Sequence, residues 1–341
     1  MCQSVCGKEK KMKFYVREYK KEEYENWDKF IAEKSVNGTF LQMRKFLSYH
    51  PEERFMDASK MIYDEKNNLA AVCPACMIID NGRKIFFSHK GSTYGGILFD
   101  KKNYTVEKVL EIIRTLERQL IEDGFQELWL KITPTLFSLE ADDLLKYCLC
   151  HEKYDEYKEL NLYVDLQNCK ENMISNLAQG KRTNVHNCEK RGLILKKLES
   201  YTEIMEFHEI LKETLSKYGL SPIHTVDELW DFKINRLTRE CDFYGIYDNT
   251  KMIAGSMMFY FLSAGTAHTQ YLCARHEYDT LSPMTYMYYC MMKEAKLRGF
   301  KKISWGITTE HLGLEINSGL TKSKEAFGST YANNGIFHKV L

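Results

Sequence analysis

The sequence predicts an α/β protein built from two copies of one unit, each a mixed sheet with helices on its faces. The main observation is a repeat. The segment from Gly124 to Thr133, GFQELWLKIT, returns without a gap 175 residues later as GFKKISWGIT. A second match, Ile62-Tyr63-Asp64 with Ile246-Tyr247-Asp248, keeps the same order along the chain. Self-similarity in a fixed order marks a repeated architecture, so we expect two tandem domains.

The length and the connections fit this division. A chain of 341 residues is long enough for two domains of ordinary size. We expect them at residues 12–165 and 166–341, with the C-terminal tail packing back on the first. The chain has five prolines and no low-complexity linker, so the domains should pack tightly. The groove between two such units is the natural place for a large ligand.

Composition restricts the class of protein and its location. Hydrophobic residues make up 44% and charged residues 28%, which is typical of a globular protein. The formal net charge of +1 gives no overall attraction to nucleic acid or to an anionic membrane. Eleven cysteines, an odd number with no signal-peptide pattern before them, favour reduced thiols and a cytoplasmic location. No run approaches the roughly 18 apolar residues of a transmembrane helix.

The elements of the first unit follow from periodicity and turn signals. Alternation predicts a strand at 13–18, and the spacing of Tyr24, Trp27 and Ile31 predicts a helix over 20–33. Asn81-Gly82 indicates a hairpin, and Gly124 is a helix C-cap residue. The other predicted elements are a helix at 43–50, strands near 58–64, 69–79 and 84–88, a helix at 105–123, and strands at 126–132 and 158–165.

The second unit repeats this order after a long helical stretch predicted from Asp165 to Arg191. Its last helix before the repeated strand again ends at a glycine, Gly299. The predicted elements are strand 193–198, helices 201–217 and 226–239, strands 242–247, 251–261 and 265–273, helix 282–298, strand 301–305, a short helix near 321–327 and strand 335–340.

Five motifs lie along this framework and together carry a family resemblance. They are Phe40-Leu41-Gln42, Ser88-His89-x-Gly91-x-Thr93-Tyr94-Gly95-Gly96, Lys181-Arg182-x-Asn184 with Lys190-Arg191-Gly192, His268-x-Gln270-Tyr271, and Gly319-Leu320 with Lys324-x-x-Phe327-Gly328. In this order they resemble the GCN5-related N-acyltransferase (GNAT) fold. More narrowly, the chain is similar to the tandem-domain branch that includes the Fem aminoacyltransferases of bacterial cell-wall synthesis. The resemblance runs from about residue 13 to the C-terminus.

The resemblance implies transfer of an acyl or aminoacyl group to an amine, with no cofactor beyond the donor. Fem proteins take the amino acid from aminoacyl-tRNA and attach it to the peptide of a nucleotide-linked wall precursor. Single-domain relatives use acetyl-CoA, whose pyrophosphate binds a glycine-containing turn at a helix N-terminus. The corresponding stretch here, Ala274 to Pro283, has no glycine and two acidic residues. This departure favours aminoacyl-tRNA over acetyl-CoA.

Lys324 is the first candidate catalytic residue. In the Fem branch the lysine of the Lys-x-x-Phe-Gly motif lies near the reacting centre. Aminolysis of an ester passes through a tetrahedral oxyanion, which a fixed ammonium stabilises. The alternative is that Lys322 and Lys324 only form the solvated face of a short helix.

His268 is the second candidate, because it lies on a predicted central strand and could accept a proton from the attacking amine. Gln270 has the same strand parity and should share its face, and Tyr271 follows directly. His224, on a loop that relatives also use near the site, is a further candidate for substrate binding. A structural histidine is the alternative at both positions.

Two basic patches and one glycine-rich loop complete the predicted binding residues. The phosphates of a large donor or acceptor could be held by either basic patch. The first patch is Arg44 and Lys45 with His50, and the second is the long basic helix that carries Arg182. Solvated helix faces are the alternative. The Ser88–Gly96 segment could let backbone approach a ligand, with His89 and Tyr94 lining the site, or serve only as a tight turn.

Other chemistries find little support in the sequence. Cys73-Pro74-Ala75-Cys76 lies in a strand pattern, where its thiols would point to opposite faces, and no second pair completes a zinc site. No nucleophile elbow indicates a serine hydrolase. Two alternatives stay open: an acetyl-CoA-dependent N-acetyltransferase acting on an amino sugar or small amine, and a relative that binds tRNA or a glycan precursor without turnover. Donor, acceptor, general base and oligomeric state are not determined.

Overall fold

The computed structural model describes residues 14–139 and 143–341, with the side chain of Glu52 left out. Residues 12 and 13, the expected start of the first domain, lie outside the described residues. The strands are β1 (Phe14–Glu18), β2 (Met56–Asp57), β3 (Lys60–Asp64), β4 (Leu69–Cys73), β5 (Cys76–Asp80), β6 (Arg83–Ser88), β7 (Leu98–Phe99), β8 (Glu127–Lys131), β9 (Asp155–Asp165), β10 (Ile194–Lys197), β11 (Cys241–Asp248), β12 (Lys251–Phe261), β13 (Thr266–Ala274), β14 (Lys302–Ile307), β15 (Thr309–Glu310), β16 (Glu315–Ile316) and β17 (Thr330–Val340). The α-helices are α1 (Tyr24–Glu33), α2 (Arg44–Leu47), α3 (Val106–Glu122), α4 (Asp143–His151), α5 (Gln179–Arg191), α6 (Tyr201–Ser216), α7 (Val226–Asp231), α8 (Pro283–Leu297) and α9 (Ser318–Glu325).

One large mixed sheet runs through the described part of the molecule. Its eleven strands follow the order β10-β11-β12-β13-β14-β9-β17-β8-β6-β5-β2. Neighbouring strands are antiparallel except at two places, β13 with β14 and β6 with β8, where they are parallel. These two parallel pairs occupy equivalent positions on either side of the central pair β9 and β17. The predicted α/β class with mixed sheets is therefore confirmed.

The two central strands are exchanged between the repeats. β9 comes before residue 166 in the chain but pairs with β14, and β17 comes near the end but pairs with β8. β9 and β17 also pair with each other over nine residues, from Thr330↔Tyr163 to His338↔Asp155. We propose the boundary at residues 165 and 166, and use N-terminal half for residues 14–165 and C-terminal half for residues 166–341.

A second, four-stranded sheet, in the order β1-β3-β4-β7, belongs to the N-terminal half. The strand predicted at 69–79 is wrong as a single element, because it breaks at Pro74 and Ala75. β4 lies in the small sheet and β5 in the large one. Proline has no N–H to donate, so it suits a position where a strand leaves one ladder for another. Cys73 and Cys76 flank the break, and both are buried.

Local geometry repeats along with the sequence. The helices α3 and α8 are each followed by a glycine with positive φ, Gly124 at 80° and Gly299 at 82°. The hairpins β3-β4 and β11-β12 shift register at the same repeated dipeptide, Ile62/Tyr63 and Ile246/Tyr247. These shared irregularities confirm the prediction of two tandem copies.

A buried cluster joins the two halves. In the C-terminal half one sheet face packs on α5 and α8, and the opposite face packs on α6 and α7. The second face also receives Leu41, Phe46, Tyr94 and Phe137 from the N-terminal half. Phe137 lies against Phe261, with ring centroids 4.3 Å apart. The tight packing that the sequence predicts is thus visible in the shared core.

Several predicted helix and strand limits are wrong. Asp165 ends β9 instead of starting a helix, and the helix of the basic motif begins at Gln179, after a 3₁₀ turn at Met173–Asn176. The helix predicted at 226–239 ends at Asp231 and continues as one π-helical turn, Phe232–Arg236. β17 starts at Thr330, five residues before the predicted strand. Periodicity fails here because tertiary pairing overrides local preference.

Candidate functional site

The candidate site lies where β13 and β14 separate, a place we call the C-terminal gap. Three residues of β13, Thr266 to His268, pair with Lys302 to Ser304 of β14. β13 then continues to Ala274 and β14 to Ile307, but the two strands do not pair with each other beyond His268 and Ser304. The carboxyl ends of parallel strands are where α/β proteins bind ligands. The gap thus places side chains of both strands at one opening.

Lys324 reaches the C-terminal gap from α9. Its ammonium nitrogen, Nζ, donates hydrogen bonds to the carbonyl oxygens of Gly306 at 3.2 Å and Ile307 at 2.9 Å, at the end of β14. The residue is 4% exposed. Burial lowers the pKa of Lys324 to about 8, so the group is mostly charged at pH 7. An ammonium has three hydrogens, which leaves one for a ligand.

The helix that carries Lys324 is anchored at both ends. Asn317 caps its start, where its side chain accepts a hydrogen bond from the Leu320 N–H at 3.0 Å. After the helix, the Ser329 hydroxyl donates to the Lys324 carbonyl at 2.7 Å. Phe327 of the same motif is fully buried and stacks on Tyr288. The Lys-x-x-Phe-Gly motif therefore fixes the position of the ammonium.

His268 lies at the point where the two strands separate. Its Nδ1 is 3.1 Å from the Ser304 hydroxyl, and its ring packs edge-on against Phe137 of the N-terminal half. Burial, together with the positive charge of Lys324, lowers the pKa of His268 to about 3. The imidazole is neutral at physiological pH. His268 and Lys324 therefore occupy the same buried site.

Ser304 and Asn161, two polar residues that the sequence analysis missed, support His268. The Ser304 hydroxyl donates to the Asn161 side-chain oxygen at 3.0 Å and accepts from the Gly306 N–H at 3.1 Å. The Asn161 amide donates to Asn334 of β17 at 3.4 Å. One signal was available: serine and asparagine interrupt otherwise apolar strand patterns, and a buried polar residue needs a partner.

Gln270 lies at a β-bulge, where the strand parity that predicts a shared face with His268 does not apply. The pairing of β12 with β13 shifts between Met257 and Met258, which leaves Gln270 as the extra residue of a β-bulge. The bulge changes the parity of the strand. Tyr271 pairs with Met257 and His268 with Phe259, and both partners belong to the shared core. His268 and Tyr271 thus lie on one face.

A row of rings connects Tyr271 to the N-terminal half. Its hydroxyl is 2.7 Å from Nδ1 of His224, and burial lowers the pKa of that histidine to about 4. The His224 ring contacts Tyr49 of the N-terminal half, and the row continues through His50 and Phe55 to His89. The structure thus brings the predicted residues His224, Tyr271 and His89 into one row.

The end of this row lines a pocket of about 680 Å³ in the N-terminal half. Aromatic side chains form much of its wall. Among the lining residues are Tyr19, Arg44, His50, Phe55, Asp57 and His89. His89 is buried, accepts a hydrogen bond from the Gly91 N–H at Nδ1, and has its pKa lowered to about 3 by burial. A pocket whose wall combines rings with charged groups such as Arg44 and Asp57 suits a polar ligand that also has apolar or sugar faces.

Arg44 and Lys45 point to different surroundings. The Arg44 guanidinium is 3.5 Å from the ring centroid of Tyr19 and forms an ion pair with Asp57 at 2.6 Å. It is 5% exposed, and its Nε and Nη2 have no hydrogen-bond partner in the described structure. Lys45 is exposed and lines a different cavity, beside Asp28 and Arg236. The two residues therefore do not form one phosphate site.

The glycine-rich loop fills the equivalent gap of the N-terminal half, between β6 and β8. The Gly95 N–H donates to the Lys131 carbonyl at 2.7 Å, and the Gly96 N–H donates to the Ser88 hydroxyl at 2.8 Å. Gln42 holds the loop by donating to the Gly95 carbonyl at 3.0 Å. Tyr94 is buried and stacks on Phe137 in the shared core. It lies away from the pocket that His89 lines.

Arg182 is exposed near the start of α5. Its neighbour Lys181 lies closer to the site, with Nζ 3.3 Å from the Ser323 hydroxyl and 4.9 Å from the ring centroid of Phe327. Burial lowers the pKa of Lys181. Of the two basic residues in the motif, Lys181 is the one that reaches the helix of Lys324, whereas Arg182 is exposed.

The stretch after β13 uses its backbone groups internally. It forms a 3₁₀ helix, His276–Leu281, whose N–H groups bond within the turn, as from Tyr278 to Arg275 and from Ser282 to Asp279. The His276 N–H donates to Glu213. These donors are therefore not presented together to a diphosphate, as the missing glycines predict. Among the described residues, no cluster of three metal-ligating side chains forms and no helix has the length and apolarity to cross a membrane.

Known structures share this architecture over nearly the whole chain. FemX superimposes with a TM-score of 0.67 at 11% identity, covering 96% of this chain and 97% of that one. L-PGS from Bacillus licheniformis gives 0.62 at 13% identity, over 94% and 92%. A tandem GNAT protein from the clavulanic acid biosynthesis pathway gives 0.52 at 8% identity, over 96% and 98%. At these identities the similarity establishes the fold, and the predicted tandem GNAT fold is confirmed.

By sequence, no protein-family model and no curated protein matches the chain.

Proposed function

We propose that the protein is an acyltransferase that moves an acyl or aminoacyl group to an amine in the C-terminal gap. The observation that carries the proposal is the buried Lys324 ammonium, held by two carbonyl oxygens beside His268. Buried in this way, it can act on the negative charge that develops on the carbonyl oxygen of the donor. The match to the lysine of the Fem motif supports the same role.

Positioning would supply much of the rate. Two reactants bound in fixed geometry react in an effectively unimolecular step, which raises the reaction rate by up to several powers of ten. The donor carbonyl would lie at the carboxyl ends of β13 and β14, within reach of the ammonium. The attacking amine would enter from the side of Tyr271 and His224. The row of rings supports this direction, because it leads from the pocket of the N-terminal half to β13.

The donor we favour is aminoacyl-tRNA. An acetyl-CoA site of the usual kind needs free backbone N–H groups after β13, and here the turn His276–Leu281 uses them. Lys181 reaches α9, and Arg182 beside it is exposed, so these two residues of α5 would contact the phosphates of the donor. We place the reaction in the bacterial cytoplasm, on a cell-wall or surface-glycan precursor held in the pocket of the N-terminal half.

The test is a search for the amide product by mass spectrometry. The full chain is incubated with candidate amine acceptors and with either charged tRNA or acetyl-CoA. We expect an acceptor that gains one aminoacyl residue with charged tRNA, and loses this gain when Lys324 is replaced by Met. Lys322→Met is the matched control, because Lys322 lies on the same helix and is exposed. Full transfer by Lys324→Met would remove the proposed role.

Two alternatives predict different results. An acetyl-CoA-dependent N-acetyltransferase would be stabilised by acetyl-CoA, by about 2.7 kcal/mol at a concentration of 100 times Kd, which a thermal shift detects. A protein that only binds would retain tRNA in a salt-sensitive manner and give no amide with either donor.

A further inference from the structure

Ser304 connects the two candidate catalytic residues, Lys324 and His268, and its hydrogen bonds determine the tautomer of His268. Its hydroxyl contacts the Asn161 side-chain oxygen at 3.0 Å, the Gly306 N–H at 3.1 Å and Nδ1 of His268 at 3.1 Å. Ser304 is fully buried, and Asn161 and His268 are buried as well. Solvent does not compete for these three contacts.

The number of hydrogens settles the direction of each bond. A hydroxyl has one hydrogen to donate and two lone pairs to accept. The oxygen of Asn161 can only accept, so the serine hydrogen is directed to it, and the Gly306 N–H takes one lone pair. The third partner, Nδ1 of His268, must then donate. Since the neutral imidazole has a single N–H, Nε2 is left with a free lone pair.

The orientation of Asn161 comes from the neighbouring strand. Its amide nitrogen donates to the side-chain oxygen of Asn334 on β17, so its own oxygen faces Ser304. Asn161 lies on β9 and Asn334 on β17, the two exchanged strands. Three hydrogen bonds therefore connect Asn334 to His268 across four neighbouring strands, β17, β9, β14 and β13.

We propose that Ser304 is a positioning residue that holds His268 in the Nδ1-protonated tautomer, so that Nε2 accepts a proton from the acceptor amine. This rests on the proposed function. The amine nitrogen forms a bond to the donor carbonyl carbon, and one amine hydrogen passes to Nε2. The bond from that carbon to the ester oxygen of the donor then breaks, and the leaving oxygen takes the proton from Nε2.

The same serine also orients the carbonyl that holds Lys324. Its hydroxyl accepts the Gly306 N–H, while the Gly306 carbonyl accepts from the Lys324 ammonium at 3.2 Å. β14 bulges between Ser304 and Gly306, so the N–H and the carbonyl of Gly306 can both face the site. Replacing Ser304 should therefore disturb the proton acceptor and the ammonium together.

The experiment is ¹⁵N NMR on the full chain with ¹⁵N-labelled histidine. The His268 signals are assigned by their loss in His268→Gln. We expect wild-type protein to show a protonated, pyrrole-like Nδ1 and a pyridine-like Nε2. Ser304→Ala should shift the population toward the Nε2-protonated tautomer. An Nε2-protonated His268 in wild-type protein overturns the proposal and needs no variant that could fail to fold.

The control is Thr269→Val. Thr269 is buried beside His268, and its hydroxyl donates to the Ser304 carbonyl at 3.3 Å instead of to the histidine. This variant loses a hydroxyl at the same place and should keep the wild-type tautomer. An unchanged tautomer in folded Ser304→Ala, or an equal change in Thr269→Val, also contradicts the proposal.

Activity provides a separate readout once transfer is detected. We expect kcat to fall about tenfold or more in Ser304→Ala with KM nearly unchanged, since the change affects proton transfer. Thr269→Val should stay near the wild-type value. If neither donor gives an amide, the proposed function fails and the NMR result still decides the tautomer, so the two failures are distinguishable.

Discussion

The two halves differ at a place that both contain, the gap beside the parallel strand pair. In the N-terminal half the gap beyond Ser88 is filled by the chain itself, with Gly95 bonded to Lys131 and held by Gln42. In the C-terminal half the equivalent gap holds the side chains of His268 and Lys324. One gap is closed by the chain itself, and the other holds ionisable side chains, which we propose act on a ligand.

The difference shows how a duplicated unit can divide its work. The filled gap adjoins the pocket of the N-terminal half, because His89, which lines the pocket, directly follows Ser88 and precedes the loop. Both halves bury ionisable groups at a cost in stability: Lys324, His268 and His224 in the C-terminal half, and Arg44 and His89 in the N-terminal half. Functional sites often carry such unfavourable groups.

The largest expected effect lies at Lys324. Replacing it by Met should lower kcat for transfer by about a hundredfold or more, as loss of one oxyanion donor does. The melting temperature should change little, because the cost of burying an unpaired ammonium disappears together with its two hydrogen bonds. Activity and thermal unfolding are measured on the same samples. Equal losses in Lys322→Met would show that charge at α9, and not this position, matters.

The second effect tests the filled gap. A Cβ at Gly95 would lie 2.5 Å from the Ser88 hydroxyl oxygen and 2.9 Å from its backbone carbon. Gly95→Ala should therefore destabilise the protein by about 1–3 kcal/mol, read from urea unfolding. Gly180→Ala is the control, because nothing lies within 4 Å of that Cβ and alanine favours the helix α5. A neutral Gly95→Ala would mean that the loop is not packed in the gap.

The third effect is a loss of stability at low pH. The pKa values of His89, His224 and His268 lie at about 3, 4 and 3 in the folded chain, below the ordinary value of 6.5. The unfolded chain therefore binds these protons first, and the free energy of unfolding should fall as pH drops from about 6.5 toward 4. The slope is about 1.4 kcal/mol per pH unit for each proton.

Single replacements show how much each half contributes to this pH dependence of the free energy of unfolding. His89→Asn should remove the contribution of one proton bound in the N-terminal half, and His224→Asn that of one proton bound in the C-terminal half. His186→Asn, at an exposed position of α5, serves as the control. Chemical unfolding between pH 4 and 7 gives the slopes. A flat profile in wild-type protein would contradict the buried, neutral state of these rings.

The smallest effect should be the same in both halves. Gly124 and Gly299 end the equivalent helices α3 and α8 with positive φ, and no atom lies within 4 Å of a Cβ at either position. Alanine at each should cost about 1 kcal/mol through backbone strain alone. Urea midpoints of the two variants are compared. Unequal costs would show that the halves do not unfold as one unit.

The sequence was enough to predict the duplication and, through the resemblance to the Fem motif, to single out Lys324, whose catalytic role stays a prediction. The repeat appears directly in the residues, and the spacing of Lys324 to Phe327 places the lysine one turn before a buried anchor. Both depend on short-range patterns. The gap of the C-terminal half was not predicted, because the sequence indicated the groove between the two units as the place for a ligand, and the parallel pair β13 and β14 is seen only in the structure.

Other features depend on contacts far apart in the chain. Strand parity predicted that Gln270 shares a face of the sheet with His268. The bulge against β12 interrupts that parity and places Tyr271 on the face of His268. Arg44 reads as an exposed cation in sequence, but Asp57 and the ring of Tyr19 bury it. Ser304 and Asn161 meet because β9 crosses to the other half. No local pattern contains these pairings.

The crossing of β9 and β17 has a consequence for biosynthesis. β8 needs β17 beside it, but the ribosome makes β17 about 200 residues after β8, which takes roughly 10–40 s at ordinary elongation rates. During that interval the edge of β8 has no strand to cover it, and open edges recruit other chains. A fragment of residues 14–165 lacks β17, so the edge of β8 stays uncovered. Such a fragment should aggregate unless a peptide spanning Thr330–Val340 is supplied in trans.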